Sequence, residues 1–282
     1  MKKTKKNFIA KFAAFAMIAM VTLASCKKDK TTEVTPDPVV TPDALKTTYT
    51  LNVKDVLGVT GTVTFAEVSS GSTNSVVTIK LVGAPASTHP AHIHMNSAIE
   101  TGGIAYALTD VDAAGNSSTI LPISYGGLIA FDGYVNVHLD AATLGTIVAQ
   151  GDIGGNVFTG NTKSYTLLQD STTGISGVAK FDQRKNGNTL VTVDLTSGGI
   201  LPGGMYPAQI NLGSVTTIGS PVVRRTLNPV NGTSRLSITN VRTLNDGAAI
   251  TYDNWLVYDG FLSVHDAANV SNIIALGNIG AH

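Results

Sequence analysis

The feature that most constrains the fold is a long internal repeat. Five short blocks occur twice in the same order, at offsets of 116 to 127 residues: 49–51 recurs at 165–167, 61–65 at 177–181, 90–94 at 207–211, 125–138 at 252–265 and 149–154 at 275–280. This period is far longer than the roughly 20–45 residues of a solenoid repeat. We therefore predict two homologous domains, at 47–156 and 162–282, joined by a linker at 157–161.

Within each copy, apolar and polar residues alternate with a period of two, the pattern of half-buried strands. Residues 76–81 (VVTIKL) and 190–195 (LVTVDL) are examples. Clusters of Gly, Asn, Asp and Ser separate such segments, and only short helical turns are expected, near 140–142 and 266–268. The sequence predicts an all-β protein: two tandem antiparallel β-sandwiches of the immunoglobulin-like or Greek-key kind.

The N-terminus has the pattern of an exported and lipid-anchored protein. A basic segment at 1–7 precedes an apolar stretch at 12–24, which is shorter than the roughly 20 residues of a membrane-spanning helix. The stretch ends in Leu-Ala-Ser-Cys, which resembles a bacterial lipobox whose cysteine, here Cys26, is diacylated. We predict a lipoprotein signal peptide at 1–25 and a Pro/Thr-rich tether at 26–46. An ordinary signal peptide with an accidental cysteine is the alternative.

These features predict a location in the cell envelope, with the lipid anchor holding the chain to the outer membrane. The charged residues after Cys26 resemble the surface-export signals of Bacteroidetes lipoproteins. Loss of the signal peptide removes five lysines and leaves 14 basic against 19 acidic residues. This anionic balance argues against nucleic acid as a partner. The single cysteine excludes an internal disulfide and any multi-cysteine metal site.

Histidines are the residues of this sequence whose spacing indicates a chemical site. His92 and His94 are two residues apart, so a strand would place both imidazoles on the same face. His138 ends a second predicted strand and could supply a third nitrogen, giving a site suited to copper or zinc. Alternatively, these histidines bond loop backbone at the end of the sandwich. His89 precedes a proline and is expected in a loop.

The second copy lacks two of these donors. Gln209 and Asn211 replace the histidine pair, whereas His265 remains at the position of His138. Amides form hydrogen bonds but bind copper and zinc poorly. Either the first copy alone holds a metal, or the polar pair has a structural role in both copies.

The blocks Pro-Ala-His-Ile-His, Asp-Gly-Tyr-Val-Asn-Val-His and Gly-Asp-Ile-Gly resemble those of the chordin-type CHRD domain. The resemblance covers 49–154, and the equivalent part of the second copy with a degenerate histidine block. It implies an immunoglobulin-like β-sandwich outside the cell, without an established catalytic activity.

A second similarity is to copper–zinc superoxide dismutase. It implies copper-ligand positions at His92, His94 and His138, and a closing strand at 151–154. The first copy has no counterpart of that family's bridging histidine, zinc loop, disulfide or substrate-guiding arginine. The resemblance therefore implies no dismutase activity.

No Gly-x-Ser-x-Gly, Walker, His-Glu-x-x-His or Gly-x-Gly-x-x-Gly motif occurs. We predict a non-enzymatic cell-envelope lipoprotein whose two CHRD-like modules serve binding or adhesion, with an extracellular protein or glycan as ligand. The alternative is a redox or metal-handling protein that binds copper or zinc in its first copy.

Overall fold

The structure, a computed structural model, describes residues 44–169, 174–199, 202–217 and 221–282. The predicted signal peptide, Cys26 and nearly all of the predicted tether lie outside the described residues. Within the described ranges, no helix combines the length and the hydropathy needed to cross a membrane.

The first copy consists of eight strands and one short helix. These are β1 (Lys46–Val53), β2 (Thr60–Glu67), β3 (Ser75–Val82), β4 (Ala91–Met95), β5 (Ile104–Ala107), β6 (Asn116–Leu121), α1 (Tyr125–Ala130), β7 (Asp132–His138) and β8 (Ile147–Gly154). They hydrogen-bond in the order β5-β4-β7-β8-β1-β2-β3-β6, and every pair is antiparallel.

The second copy repeats this set and adds a small two-stranded sheet. Its elements are β9 (Phe158–Gln169), β10 (Ser176–Arg184), β11 (Thr189–Ser197), β12 (Met205–Tyr206), β13 (Ala208–Leu212), a 3-10 turn (Val215–Thr217), β14 (Val223–Thr226), β15 (Val230–Asn231), β16 (Leu236–Val241), α2 (Tyr252–Leu256), β17 (Asp259–His265) and β18 (Ile273–Gly280). The order β14-β13-β17-β18-β9-β10-β11-β16 matches that of the first copy strand for strand, while β12 pairs with β15. The prediction of an all-β antiparallel fold is confirmed.

One strand joins the two faces of each copy. β1 pairs with β2 through residues 46–51 and with β8 through residues 52–53, so the sheet folds over at this strand. Alternate side chains of both faces then meet in a single core, in which Val63, Ile79, Ile93 and Val135 are fully buried. Burial of this apolar area is the main stabilising term, at about 25 cal/mol per Å².

Three local features differ from the sequence-based expectation. The segments at 140–142 and 266–268 form bends and turns, whereas the helices lie earlier in each copy, as α1 and α2. Each helix begins at a capping hydroxyl: Ser124 accepts from the backbone N–H of Gly127, and Thr251 forms a capping box with Asn254. Strand β9 begins at Phe158, inside the segment predicted as a linker.

Polar contacts join the two copies. The Arg184 side chain is fully buried and its Nη1 lies 2.7 Å from Oδ2 of Asp152 in the first copy. Glu100, between β4 and β5, pairs with Arg242 and accepts a 2.9 Å hydrogen bond from Nδ2 of Asn240. Burial raises the pKa of Glu100, but hydrogen bonds from Arg242 and its other partners outweigh this and lower it, so Glu100 is ionised at neutral pH.

Candidate metal centre

The three histidines of the first copy lie together on two neighbouring strands. In the β4–β7 pair, His92 is opposite Asn136 and His94 is opposite Tyr134. His92 and His94 are half-buried on one face of β4, while Ile93 between them enters the core. A β-bulge follows Val137, so that His138 leaves the regular register at the end of β7. The structure thus brings together all three of the histidines that the sequence singled out.

The ring nitrogens of this cluster converge. One nitrogen from each of His92, His94 and His138 lies within 4.8 Å of the other two. Nδ1 of His92 and Nε2 of His138 are 3.3 Å apart. Among the described residues, this is the one group of three or more His, Cys, Asp or Glu side chains close enough to share an ion.

Backbone carbonyls orient two of the rings. Nδ1 of His94 lies 2.9 Å from the carbonyl oxygen of Gly102, and Nδ1 of His138 lies 2.6 Å from that of Leu144. A carbonyl oxygen only accepts, so each Nδ1 carries the proton and each Nε2 keeps its lone pair. In metal sites, a hydrogen bond of this kind, from the ring nitrogen that does not bind the metal, fixes the tautomer of a ligating histidine.

Nε2 of His94 is the most informative atom of the cluster. It is buried and has no hydrogen-bond partner. A buried polar atom without a partner costs about 1–3 kcal/mol, and such atoms are rare in folded proteins. Other buried atoms of the described residues also lack a partner, but the ring of His94 lies beside two other imidazoles, with centroids 5.8 Å from His92 and 6.5 Å from His138.

The electrostatics favour the neutral form of His92 and of His138. The pKa of His92 is lowered by burial first and then by the proximity of His138 and His94, with a smaller opposing effect of Asp110. The pKa of His138 is lowered by burial and by His94, although its bond to the carbonyl of Leu144 acts in the opposite direction. Neutral rings are the form that coordinates metal ions.

The geometry fits a small first-row cation. Metal–nitrogen distances of about 2.0–2.1 Å and tetrahedral angles place neighbouring nitrogens about 3.3 Å apart. The His92–His138 separation already has this value. The widest nitrogen–nitrogen separation is at most 4.8 Å, so reaching about 3.3 Å needs at most about 1.5 Å of movement, which a half-buried ring can make by side-chain rotation.

Two further residues hold His94 in place. The ring stacks on Tyr134, with centroids 5.0 Å apart and planes inclined by 19°. At Gly102, a Cβ atom would lie 2.2 Å from the carbonyl oxygen of Met95, so only glycine lets this loop approach β4 and present its carbonyl to Nδ1. Sequence reasoning did not identify Gly102 or Leu144 as part of the site, because each contributes a backbone carbonyl that every residue possesses.

The second copy fills the equivalent space with hydrogen bonds. Nδ2 of Asn211 donates to Oγ of Ser263 at 2.9 Å, and the same Oγ lies 2.9 Å from Nε2 of His265. Nδ1 of His265 is 2.8 Å from the carbonyl oxygen of Val270, as Nδ1 of His138 is bonded to Leu144. Gln209 occupies the position of His92, opposite Ser263. In this copy, a serine hydroxyl occupies the place between the donor side chains.

His89 lies outside the cluster, and its environment differs from the loop position expected for it. It is fully buried and forms a bridge with Val111. Its Nδ1 lies 2.7 Å from the carbonyl oxygen of Leu139, and its Nε2 lies 2.9 Å from that of Pro85. With both nitrogens engaged by backbone, His89 fastens the segment before β4 to the end of β7.

Comparison of the chain with family models, with curated proteins and with solved structures gave no match.

Proposed function

We propose that the first copy binds one copper or zinc ion through His92, His94 and His138. The observation that carries this proposal is the convergence of one nitrogen from each of the three rings within 4.8 Å, in a cluster where Nε2 of His94 is buried and has no partner. Three neutral nitrogens suit both metals and leave further coordination positions open. Copper would supply one-electron chemistry at this position, and zinc would supply a Lewis acid.

The internal comparison supports a role beyond folding. The second copy has the same strand order with Gln209 and Asn211 in place of the pair, so the fold does not require two histidines there. Neither copy satisfies every polar atom, since Oδ1 of Asn211 is buried without a partner as Nε2 of His94 is. The copies differ in what joins the side chains: the Ser263 hydroxyl bonds Asn211 and His265 in the second copy, whereas three imidazole nitrogens converge in the first.

The sequence of the first copy favours metal binding or handling over turnover of an anionic substrate. Residues 47–156 contain no arginine to attract an anion to the site. We therefore propose a metal-binding role, with the lipid anchor on Cys26 placing the site in the cell envelope. The use of both copies as binding or adhesion modules stays a prediction.

Metal content tests the proposal. The untagged chain, dialysed with zinc or with copper and then against metal-free buffer, should retain about one equivalent by elemental analysis. His94→Asn, which copies the residue of the second copy, should retain none. His282→Asn is the matched control, because this half-exposed terminal histidine bonds only Asp259 and should leave the metal content unchanged.

The proposal is wrong if the unmodified chain retains no metal under these conditions. It is equally wrong if His94→Asn and His282→Asn retain the same amount, because the binding would then come from scattered surface histidines. For copper, electron paramagnetic resonance should show coupling to several nitrogens in the unmodified chain, and fewer in His94→Asn.

A further inference from the structure

A polar cavity lies where the two copies meet, on residues different from those of the metal site. Its volume is about 270 Å³, and it is lined by Ile99 and Glu100 of the first copy and by Arg225, Asn228, Thr239 and Asn240 of the second. Pockets for drug-sized ligands are mostly apolar and span about 300–1,000 Å³. A smaller cavity with mainly polar walls suits a small, strongly hydrated molecule.

Two residues that line this cavity each have a buried polar atom without a partner. Asn240 is 5% exposed; its Nδ2 donates to the Glu100 carboxylate, but its Oδ1 accepts no hydrogen bond. The negative charge of Glu100 fixes this amide orientation, since the flipped form would direct Oδ1 at a carboxylate. Nε of Arg225 is also buried and without a partner, and among the described residues Arg225 forms no ion pair.

Other cavity groups keep hydrogen-bonding capacity. Oγ1 of Thr239 accepts from the backbone N–H of Asn228 at 2.9 Å, which leaves its hydroxyl hydrogen to donate. The side-chain nitrogen of Asn228 donates to the carbonyl of Ile238, which leaves its amide oxygen to accept. The cavity therefore offers a cation, a hydroxyl donor and two amide oxygens, and the one carboxylate in its wall, Glu100, is paired with Arg242 and bonded by Asn240.

Comparison of the copies shows that this polarity is specific to the second one. Arg225 is opposite Ile210 of β13, and Tyr106 is opposite the equivalent residue of β4, Ile93. Arg225 and Tyr106 are therefore at equivalent positions. Thr109 and Asn228 are equivalent, because each backbone N–H donates to the hydroxyl of a threonine on the neighbouring strand. Asn240 then corresponds to Ile120, the residue after that threonine.

Three positions thus carry a more polar or charged residue in the copy that faces Glu100. Contact between the two copies explains one of these polar residues, Asn240, because its side chain donates a hydrogen bond to Glu100. It does not account for Arg225 or for the free Oδ1 of Asn240.

We infer that this cavity binds a small hydroxylated carboxylate, the chemistry of a sugar acid. The Arg225 guanidinium suits a carboxylate, with which it forms charge-assisted hydrogen bonds. The Asn240 Oδ1 needs a hydrogen-bond donor, and a hydroxyl group supplies one. The polar walls exclude lipids and aromatic ligands.

Calorimetric titration of the untagged chain tests this inference. Glucuronate should bind at least about tenfold more tightly than glucose, because only the acid uses the guanidinium. Arg225→Gln should weaken glucuronate binding by at least about tenfold. Arg224→Gln is the matched control: its neighbour Arg224 pairs with Asp246 outside the cavity, so this change should alter affinity less than about twofold.

Titration with a uronate oligosaccharide distinguishes two sources of the ligand, a glycan chain and a free acid. Binding as tight as that of the monomer indicates recognition of a chain end on a glycan, and loss of binding indicates a free acid; both support the inference. The inference is overturned if glucuronate gives no binding, if glucose binds equally well, or if Arg225→Gln and Arg224→Gln have equal effects. Circular dichroism shows whether Arg225→Gln retains the fold; should it not, Thr239→Val provides the same comparison.

Discussion

Converting the metal cluster of the first copy into the hydrogen-bonded network of the second is the sharpest test of how the two copies differ. The substitutions are His92→Gln, His94→Asn and Asn136→Ser, since Asn136 and Ser263 occupy equivalent positions opposite His92 and Gln209. His138 is kept, as its equivalent is kept in the second copy. We expect this triple variant to fold and to bind no metal.

The magnitude follows from the second copy. Its network contains two side-chain hydrogen bonds at 2.9 Å, both made by the Ser263 hydroxyl. At about 0.5–1.5 kcal/mol each, they contribute about 1–3 kcal/mol. The double variant His92→Gln with His94→Asn lacks this hydroxyl, and should therefore be less stable than the triple variant by that amount.

Urea denaturation followed by far-ultraviolet circular dichroism measures this difference for the metal-free forms. Tryptophan fluorescence is unsuitable because Trp255, the one tryptophan, lies in the core of the second copy. Metal affinity should fall by at least about a thousandfold in both variants, since two of three ligands are lost. A triple variant that retains metal, or that is no more stable than the double variant, would refute the reasoning.

Three other outcomes are expected. Burial lowers the pKa of both His92 and His138, so their contribution to stability is complete above about pH 6.5 and is lost as pH falls through their lowered pKa values. Metal affinity should fall over the same pH range. Loss of metal affinity already at pH 7 would contradict this. Cys26→Ser should release the chain from membranes in cell fractionation, and palmitate labelling of this variant would disprove the lipobox prediction. Asp152→Ala removes the ion-pair partner of the buried Arg184, which keeps only its hydrogen bond to the carbonyl of Asn156, and should cost about 3–5 kcal/mol in urea denaturation; a cost below about 1 kcal/mol would show that the pair is unimportant.

Alternation of apolar residues was sufficient to locate many of the strands. The segment 76–81 lies within β3, and 190–195 lies within β11. The helices were missed because α1 has only six residues and α2 five, too short to show a helical period. Their capping residues, Ser124 and Thr251, were the available signal.

The histidine cluster could be predicted in part because strand geometry is regular. Two side chains at i and i+2 share a face, which places His92 and His94 together without further information. The carbonyl of Leu144, by contrast, is invisible in a sequence, since it is brought to His138 by a turn. The junction cavity was equally hidden, because Glu100 and Asn240 are 140 positions apart and meet only through the packing of the two copies.

The position of the first and last strand of each copy has a consequence for how further copies of this domain can be added to a chain. Because β1 pairs with β8, and β9 with β18, each copy starts beside the point where it finishes. Only three residues separate β8 from β9. A domain with adjacent ends can be joined in tandem to another domain, or inserted into a surface turn of a host protein, without disrupting its own sheet. A further unit after β18 would leave the existing sheets as they are.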